Sequence, residues 1–201
     1  MAFTFFFRDL HTLEHAVNHL IPEVTGRSRI RIWDAGCAMG PEPYTLAILL
    51  AENMGQFSFK NVMIHATDID DQDTFGKIIK EGIYSDEEVK RIPPEIFKKY
   101  FEPVSFRPGY FKLIELIRSK LQFEKNDLLK LQPPGDGYSL IVCKNVLLHF
   151  QYQERIEVIK MFHRVLTPGG FFITEQTQKM PDEIKGLFKQ VVPDAQLFRK
   201  L

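Results

Sequence analysis

Arg29-Ile-Arg-Ile-Trp33, running straight into Asp34-Ala-Gly36-Cys-Ala-Met-Gly40, decides the fold. Its first half alternates polar and apolar side chains with the two-residue period of a strand, and its second half is a glycine-containing turn. Pro41 and Pro43 suit the first turn of a helix, and Tyr44-Thr-Leu-Ala-Ile-Leu-Leu-Ala-Glu52 supplies good helix formers before Gly55 stops them. Val62-Met-Ile-His-Ala-Thr67 is a second apolar strand, closed by Asp68-Ile69-Asp70. The unit is strand, helix, strand.

Farther along, strands at Ser139–Cys143 and Gly170–Thr174 flank a helical segment, Gln153–Leu166. In that segment Ile156, Ile159, Phe162, Val165 and Leu166 recur at helical spacing, and Pro168-Gly169-Gly170 ends it. A shorter strand at Leu121–Glu124 extends the set. This alternation predicts an α/β fold, a doubly wound and mostly parallel sheet of the Rossmann-like kind with helices on both faces. Glu81–Lys120 breaks the rhythm with Ile92-Pro-Pro94, Phe106-Arg-Pro-Gly109 and the apolar-polar stretch Tyr110–Ile117. It reads as an inserted helix and a small antiparallel β-subdomain, about residues 82–120, within one domain spanning residues 1–201. The segment Phe3–Leu20 is expected to form a helical cap whose phenylalanines pack on the core.

At 201 residues the chain suits one domain on the rough scale of ~150 residues per domain. Its 44% hydrophobic content buries a core, yet no apolar run approaches the ~20 residues that span a bilayer, so a soluble protein is expected. Twenty-six basic residues balance twenty-six acidic ones, leaving no overall field that favours nucleic acid or an anionic membrane. Ala2–Phe7 is apolar but lacks a basic lead-in and the length of a signal-peptide core, which argues against export. Cys37 and Cys143 lie far apart without a second Cys or His at ligand spacing, so neither a disulfide framework nor a cysteine zinc site is expected. A reducing cytoplasm suits them.

In an open α/β sheet, ligands bind beyond the carboxyl ends of the strands, at the point where the strand order reverses. Here the first such turn is Asp34–Glu42. Gly36 and Gly40 let the backbone approach a ligand, and the following helix N-terminus offers N–H groups to a carboxylate, as the amino-acid end of a nucleoside cofactor requires. A turn that needs small residues only in order to bend explains the glycines equally well. The turn lacks the Gly-Lys-Ser/Thr of a phosphate loop and does not follow Gly-x-Gly-x-x-Gly. Asp68 ends the second strand, as an acid gripping ribose hydroxyls does, but it lies 68 − 36 = 32 positions past Gly36. The dinucleotide fingerprint has roughly 20. Asp127 follows the third strand, where an acceptor meets an adenine amino group while Leu128 packs on the ring, although acids at strand ends often serve only as caps. Asn145 follows the fourth strand, where an amide can hydrogen-bond both cofactor and substrate, although a plain turn asparagine explains it as well.

Taken together, these segments are similar to the chemotaxis-receptor glutamate methyltransferases over nearly the whole chain. The family's Thr-x-Phe-Phe-Arg-Asp stands as Thr4-Phe-Phe-Phe-Arg8-Asp9, and its Gly-Cys-Ser-Thr-Gly-Glu-Glu-Pro-Tyr-Ser as Gly36-Cys-Ala-Met-Gly-Pro-Glu42-Pro-Tyr44-Thr45. Ala66–Asp70, Gly82-Ile-Tyr84, Tyr100-Phe101, Asp127-Leu-Leu129 and Cys143-Lys-Asn145-Val-Leu match in order. The resemblance implies S-adenosylmethionine as cofactor, S-adenosylhomocysteine as product, and a chemoreceptor cytoplasmic region as partner. It implies that Thr4, Arg8, Glu42, Asp68, Leu128, Asn145 and Val146 line the cofactor site, with Arg8 also facing the methyl-transfer centre. Ala35, Gly36 and Asp127 join that set through their positions at the strand ends.

The sequence also departs from the family. The opening motif begins at Thr4, so the N-terminal helical domain that approaches the receptor is expected to be almost wholly missing. Asp127 replaces an Asn, His149 replaces the Tyr of Leu-Ile-Tyr-Phe, and Thr174-Glu-Gln-Thr177 replaces Gly-His-Ser-Glu. Methyl transfer to a glutamate carboxylate needs no metal and no general base, because that acid is ionised at neutral pH with an ordinary pKa of about 4.3. Arg8 is then the residue that holds the acceptor, with His149 and Tyr44 as candidates for shaping the catalytic pocket. Two other readings compete: a small-molecule methyltransferase of the same fold, and a non-catalytic S-adenosylmethionine-binding module. The resemblance further implies that the inserted subdomain can take up a peptide as an extra strand, while a brace over the cofactor cleft explains it equally well.

Overall fold

Alternation in Ile30–Ala35 makes an interior strand of a seven-stranded sheet, seen in a computed structural model that describes residues 4–201. The part of the expected N-terminal cap that falls on Phe3 lies outside the described residues. The chain runs α1 (Leu10–Val24), β1 (Ile30–Ala35), α2 (Pro41–Asn53), α3 (Gln56–Phe59), β2 (Val62–Asp68), α4 (Phe75–Glu81) and β3 (Ile83–Ser85). It continues through α5 (Asp86–Val89), α6 (Pro94–Tyr100), β4 (Phe101–Pro103), β5 (Tyr110–Leu113), α7 (Glu115–Arg118) and β6 (Leu121–Lys125). Then come β7 (Tyr138–Val142), α8 (Tyr152–Val165), β8 (Leu166–Ile173), β9 (Phe188–Gln190) and β10 (Leu197–Lys200).

The sheet order is β6-β2-β1-β7-β8-β10-β9. Strands β6, β2, β1, β7 and β8 are parallel, while β10 runs antiparallel to both β8 and β9. From β1 the chain first builds outward through β2 and β6, then crosses back to place β7 on the other side of β1. Connections that depart in opposite directions leave a crevice at the carboxyl ends of β1 and β7.

Two-residue periodicity sorts β1 between two cores. Ile30 and Ile32 pack with Leu13 and Leu20 of α1 and Ile48 and Leu50 of α2 on one face. Trp33 and Ala35 pack with Ile156, Ile159 and Phe162 of α8 on the other. Trp33 is fully buried, sits edge-on to Phe162 at 5.1 Å between ring centroids, and donates its indole N–H to Thr67 Oγ1 at 2.8 Å. Burying a side chain of this size contributes about 2–3 kcal/mol, and the bonded N–H removes the cost of hiding a donor.

Residues 83–113 supply β3, β5 and β4, a separate three-stranded antiparallel sheet in that order. The alternation of Tyr110–Ile117 runs as a strand only to Leu113, where the short helix α7 takes over. The N-terminal cap also differs in detail. Phe7 and Asp9 adopt left-handed backbone angles, φ 61° and 49°, so the helix begins at Leu10 and continues to the buried Val24. Phe6 before it is fully buried edge-on to Tyr84 and Phe101, which pins the N-terminal arm to the inserted subdomain. Helix α8 spans Tyr152–Val165, and the strand after it starts at once, so that Pro168-Gly169-Gly170 lies inside an irregular β8. Among the described residues, no helix is long and apolar enough to cross a membrane.

Candidate active site

Loops following four parallel strands converge on a cleft of about 570 Å³. Gly36, Cys37 and Ala38 follow β1, Asp68 and Ile69 close β2, Asn126–Leu129 follow β6, and Lys144–Phe150 follow β7. Glu42 reaches in from the first turn of α2, and Thr4 and Arg8 close the cleft from the N-terminal arm. The volume lies within the roughly 300–1,000 Å³ of small-molecule sites.

The β1–α2 turn is shaped by backbone. The N–H groups of Gly36 and Cys37 donate to the Thr67 carbonyl at 2.7 and 3.0 Å, and that of Ala38 donates to Asp68 Oδ2 at 2.9 Å. Gly36 holds φ 101°, and a Cβ there would stand 2.2 Å from Val146 Cγ2, so no larger residue lets the two loops approach this closely. Asp68 thereby braces the turn with one carboxylate oxygen, and its Oδ1 accepts a longer bond, 3.3 Å, from the Asp70 N–H.

Charge is concentrated beneath and beside the cleft. Lys144, with a side chain 1% exposed, contacts Glu42 Oε2 at 2.9 Å and Asp9 Oδ2 at 3.2 Å. Burial pulls its ammonium down, but Glu42 and Asp9 together hold it above the ordinary lysine value. Arg8 Nη2 donates to Asn145 Oδ1 at 3.1 Å. Asn145 takes a left-handed φ of 59°, and its backbone N–H donates to Glu175 Oε2 at 2.9 Å, an oxygen that also accepts from the Thr174 hydroxyl at 2.9 Å. Arg8 is therefore held through a chain that reaches back to the end of β8.

Asp34 lies under this cluster, buried, and among the described residues neither carboxylate oxygen has a hydrogen-bond partner. Desolvation pushes its pKa well above the ordinary 3.8, Glu42 and Asp68 add to the rise, and Lys144 opposes it. The carboxyl takes up its proton more readily folded than unfolded, so stability is complete below 3.8 and is lost as pH rises toward the folded value. The loss is about 1.4 kcal/mol for each pH unit crossed in that window. Asp34→Asn does not titrate there. Denaturant unfolding is expected to show this variant little changed near pH 4 and more stable than wild type near pH 7; a gap that stays constant with pH would refute the assignment.

Of the residues picked out by sequence, Thr4, Arg8, Gly36, Glu42, Asp68, Asp127, Leu128, Asn145, Val146 and His149 all line this one cleft. Two do not. Ala35 is buried in the sheet behind it, packed with Trp33 and Leu128. Tyr44 is fully buried, donates its hydroxyl to the Ile79 carbonyl at 2.5 Å, and stacks edge-on to Tyr84. Burial raises its phenol far above the ordinary value, and its hydroxyl joins helix α2 to α4 outside the lining of this cleft. Asp127 lines the cleft yet also accepts the Leu129 N–H at 3.0 Å, capping the 3-10 turn Leu128–Lys130. Sequence reasoning missed Lys144 and Asp34. The run Cys143-Lys-Asn placed the lysine beside a flagged residue, but nothing local shows that its charge turns inward toward Glu42.

The cleft fits S-adenosylmethionine by its chemistry. Asp68 offers a carboxylate acceptor, Leu128, Val146 and Ile69 offer apolar surface, and Glu42 and Asp68 bring negative charge into the lining, a donor set that suits a cationic nucleoside. The family profile described as "CheR methyltransferase, SAM binding domain" matches residues 2–196. The chain is 30% identical to "Chemotaxis protein methyltransferase 1" of Pseudomonas aeruginosa, across 89% of this chain and 68% of that one. It is 27% identical to the "Probable chemotaxis protein methyltransferase" of Rhizobium etli, across 94% and 72%. Among solved structures, PKMT2 from Rickettsia typhi in complex with AdoHcy shares the fold alone, with a TM-score of 0.50 at 12% identity over 87% of this chain and 26% of that one. A profile match covering nearly every residue shows that this chain belongs to the CheR methyltransferases and carries their S-adenosylmethionine-binding domain.

Proposed function

We propose that the chain methylates a glutamate side-chain carboxylate in the cytoplasmic region of a chemoreceptor, giving a methyl ester and S-adenosylhomocysteine. The relatives named above as chemotaxis methyltransferases support the receptor as substrate. The observation that carries the chemistry is Arg8, a cation in the wall of the cleft fixed through Asn145 at 3.1 Å. A planar guanidinium in a defined orientation holds a carboxylate in one geometry, which is the main task left to the protein.

When bound, the cofactor supplies a methyl group already activated on a sulfonium. Asp68 would hold the ribose hydroxyls, Leu128 and Val146 would pack against the base, and Asp127, Gly36, Thr4 and Glu42 would complete the cofactor's surroundings. Arg8 orients the acceptor oxygen, and exposed His149 stands at the mouth, where it meets the substrate. No residue is needed to remove a proton, since a glutamate is ionised at neutral pH with a pKa of about 4.3. An arginine that paired too tightly with that carboxylate would blunt its attack, so Arg8 serves orientation. We read residues 1–201 as one methyltransferase domain with the insert of about 82–120 as a subdomain on its flank.

Incubation with methyl-labelled cofactor and receptor cytoplasmic fragments tests this. Label on the fragment that is released as methanol by base is the expected result. Cofactor binding with no transfer to any fragment would overturn it in favour of a binding module, and transfer confined to free small carboxylates would overturn the receptor as substrate.

A further inference from the structure

Away from the cleft, α1 and the turn between β9 and β10 bring together three side chains that methyl transfer does not use. His11 and His15 are one helical turn apart, so their rings lie on the same side of α1. Asp194 comes from the far end of the chain. His11 Nε2 stands 2.8 Å from Asp194 Oδ2, His15 Nε2 stands 3.5 Å from the same oxygen, and the two ring nitrogens are 3.2 Å apart. Each Nε2 has one bonding direction in its ring plane. His11 Nε2 therefore cannot serve both the carboxylate and the second imidazole as a hydrogen-bonding partner, whereas one cation serves all three atoms.

We propose that His11, His15 and Asp194 bind a single zinc-class divalent ion that ties α1 to the C-terminal hairpin. Zinc bonds to imidazole nitrogen and carboxylate oxygen of about 2.1 Å give a tetrahedron with edges of about 3.4 Å. The three observed separations, 2.8, 3.2 and 3.5 Å, lie close to such a face. From them, a point about 2.1 Å from all three atoms falls about 1 Å out of their plane, so the ion needs only small side-chain movements. A His-x-x-x-His pair on one helix face is itself a metal-chelating spacing. Side-chain exposures of 60%, 27% and 54% for His11, His15 and Asp194 leave the fourth corner to water.

The donor set fixes the class of ion. Two imidazoles and one carboxylate suit zinc, cobalt, nickel or copper, while magnesium and calcium require oxygen ligands. The frame holding Asp194 is braced, with Gln176 Nε2 donating to its carbonyl and Gln190 Nε2 donating to Ala195 O at 3.1 Å. His19, one turn farther along α1, packs its ring 6.3 Å from that of Phe171 and stays outside the triangle. The first ligand follows Arg8 by three residues, so the ion braces the arm that brings Arg8 to the cleft.

Tag-free protein stripped with a chelator and titrated with zinc chloride tests the site by calorimetry and thermal melting. Saturable 1:1 binding is expected, with a rise in Tm of roughly 5–10 °C at a hundredfold excess of zinc over its Kd. His15→Gln and Asp194→Asn should each weaken zinc binding at least tenfold, and His19→Gln should leave it unchanged. Asp194 lies in an exposed turn, so its variant keeps the test valid even where a helix variant melts early. Absence of 1:1 binding by the wild type, wild-type affinity in both ligand variants, or an equal Tm rise with magnesium would each overturn the proposal.

Discussion

Asp68→Ala is expected to weaken S-adenosylhomocysteine binding by about 100-fold, with a much smaller change in melting temperature. The carboxylate ends β2 at the wall of the cleft and keeps acceptor capacity beyond the bonds it makes to Ala38 and Asp70. Hydrogen bonds from hydroxyls to a charged acceptor contribute roughly 1.5–3 kcal/mol each, and about 2.7 kcal/mol corresponds to a hundredfold in Kd. Part of the loss comes through the turn, because Ala38 holds a left-handed φ of 48° and Asp68 Oδ2 is the acceptor for its N–H. Asp68→Asn separates the two effects. Its amide oxygen still braces Ala38 while its NH2 faces the ligand with donors, so a loss of about 10-fold is expected if bracing carries a large share. Calorimetric affinities within threefold of wild type for both variants would show that the ribose is held elsewhere.

How far the sequence shows this fold depends on the length of each periodic run. β1, β2, β7 and α8 carry enough apolar positions for the pattern to show, and the structure places them within a residue or two of where their apolar runs and spacing put them. The hairpin of β9 and β10 did not show, because three- and four-residue strands offer too few alternations to separate from irregular chain. Site residues divide along similar lines. Gly36, Asp68 and Asn145 stand at strand ends, where the topology itself brings ligands, so position in the pattern was sufficient. Tyr44 shared a motif with Glu42 but lies two residues on, which turns it by about 200° around the helix into the core. Lys144 and Asp34 depended on pairing across the sheet between residues a hundred positions apart, which no local pattern reveals.

Lys144→Met is expected to cost about 3–5 kcal/mol of folding stability, the usual result of removing one partner from a buried charge cluster. Methionine fills nearly the same volume, so the loss measures charge and not a cavity. Without the ammonium, Glu42 is left beside the buried Asp34 with no lysine between them, while the half-exposed Asp9 keeps Arg8, 3.9 Å away. For a chain of this size the cost appears as a fall in Tm of roughly 6–20 °C. The sign of the pH dependence follows from the raised lysine pKa. Its contribution is fully present below the unfolded value of 10.5 and is lost only as pH climbs through the folded value, so the wild type keeps it throughout the neutral range. In the variant, acid neutralises carboxylates and relieves their repulsion, so the deficit should be largest near pH 8 and smaller near pH 4. Lys144→Arg retains a cation and should recover most of the stability, with some loss because the longer planar group must fit a pocket shaped for an ammonium. A Tm for Lys144→Met within 3 °C of wild type at neutral pH would mean that Glu42 reaches solvent when the lysine is gone, and that the cluster does not organise the floor of the cleft.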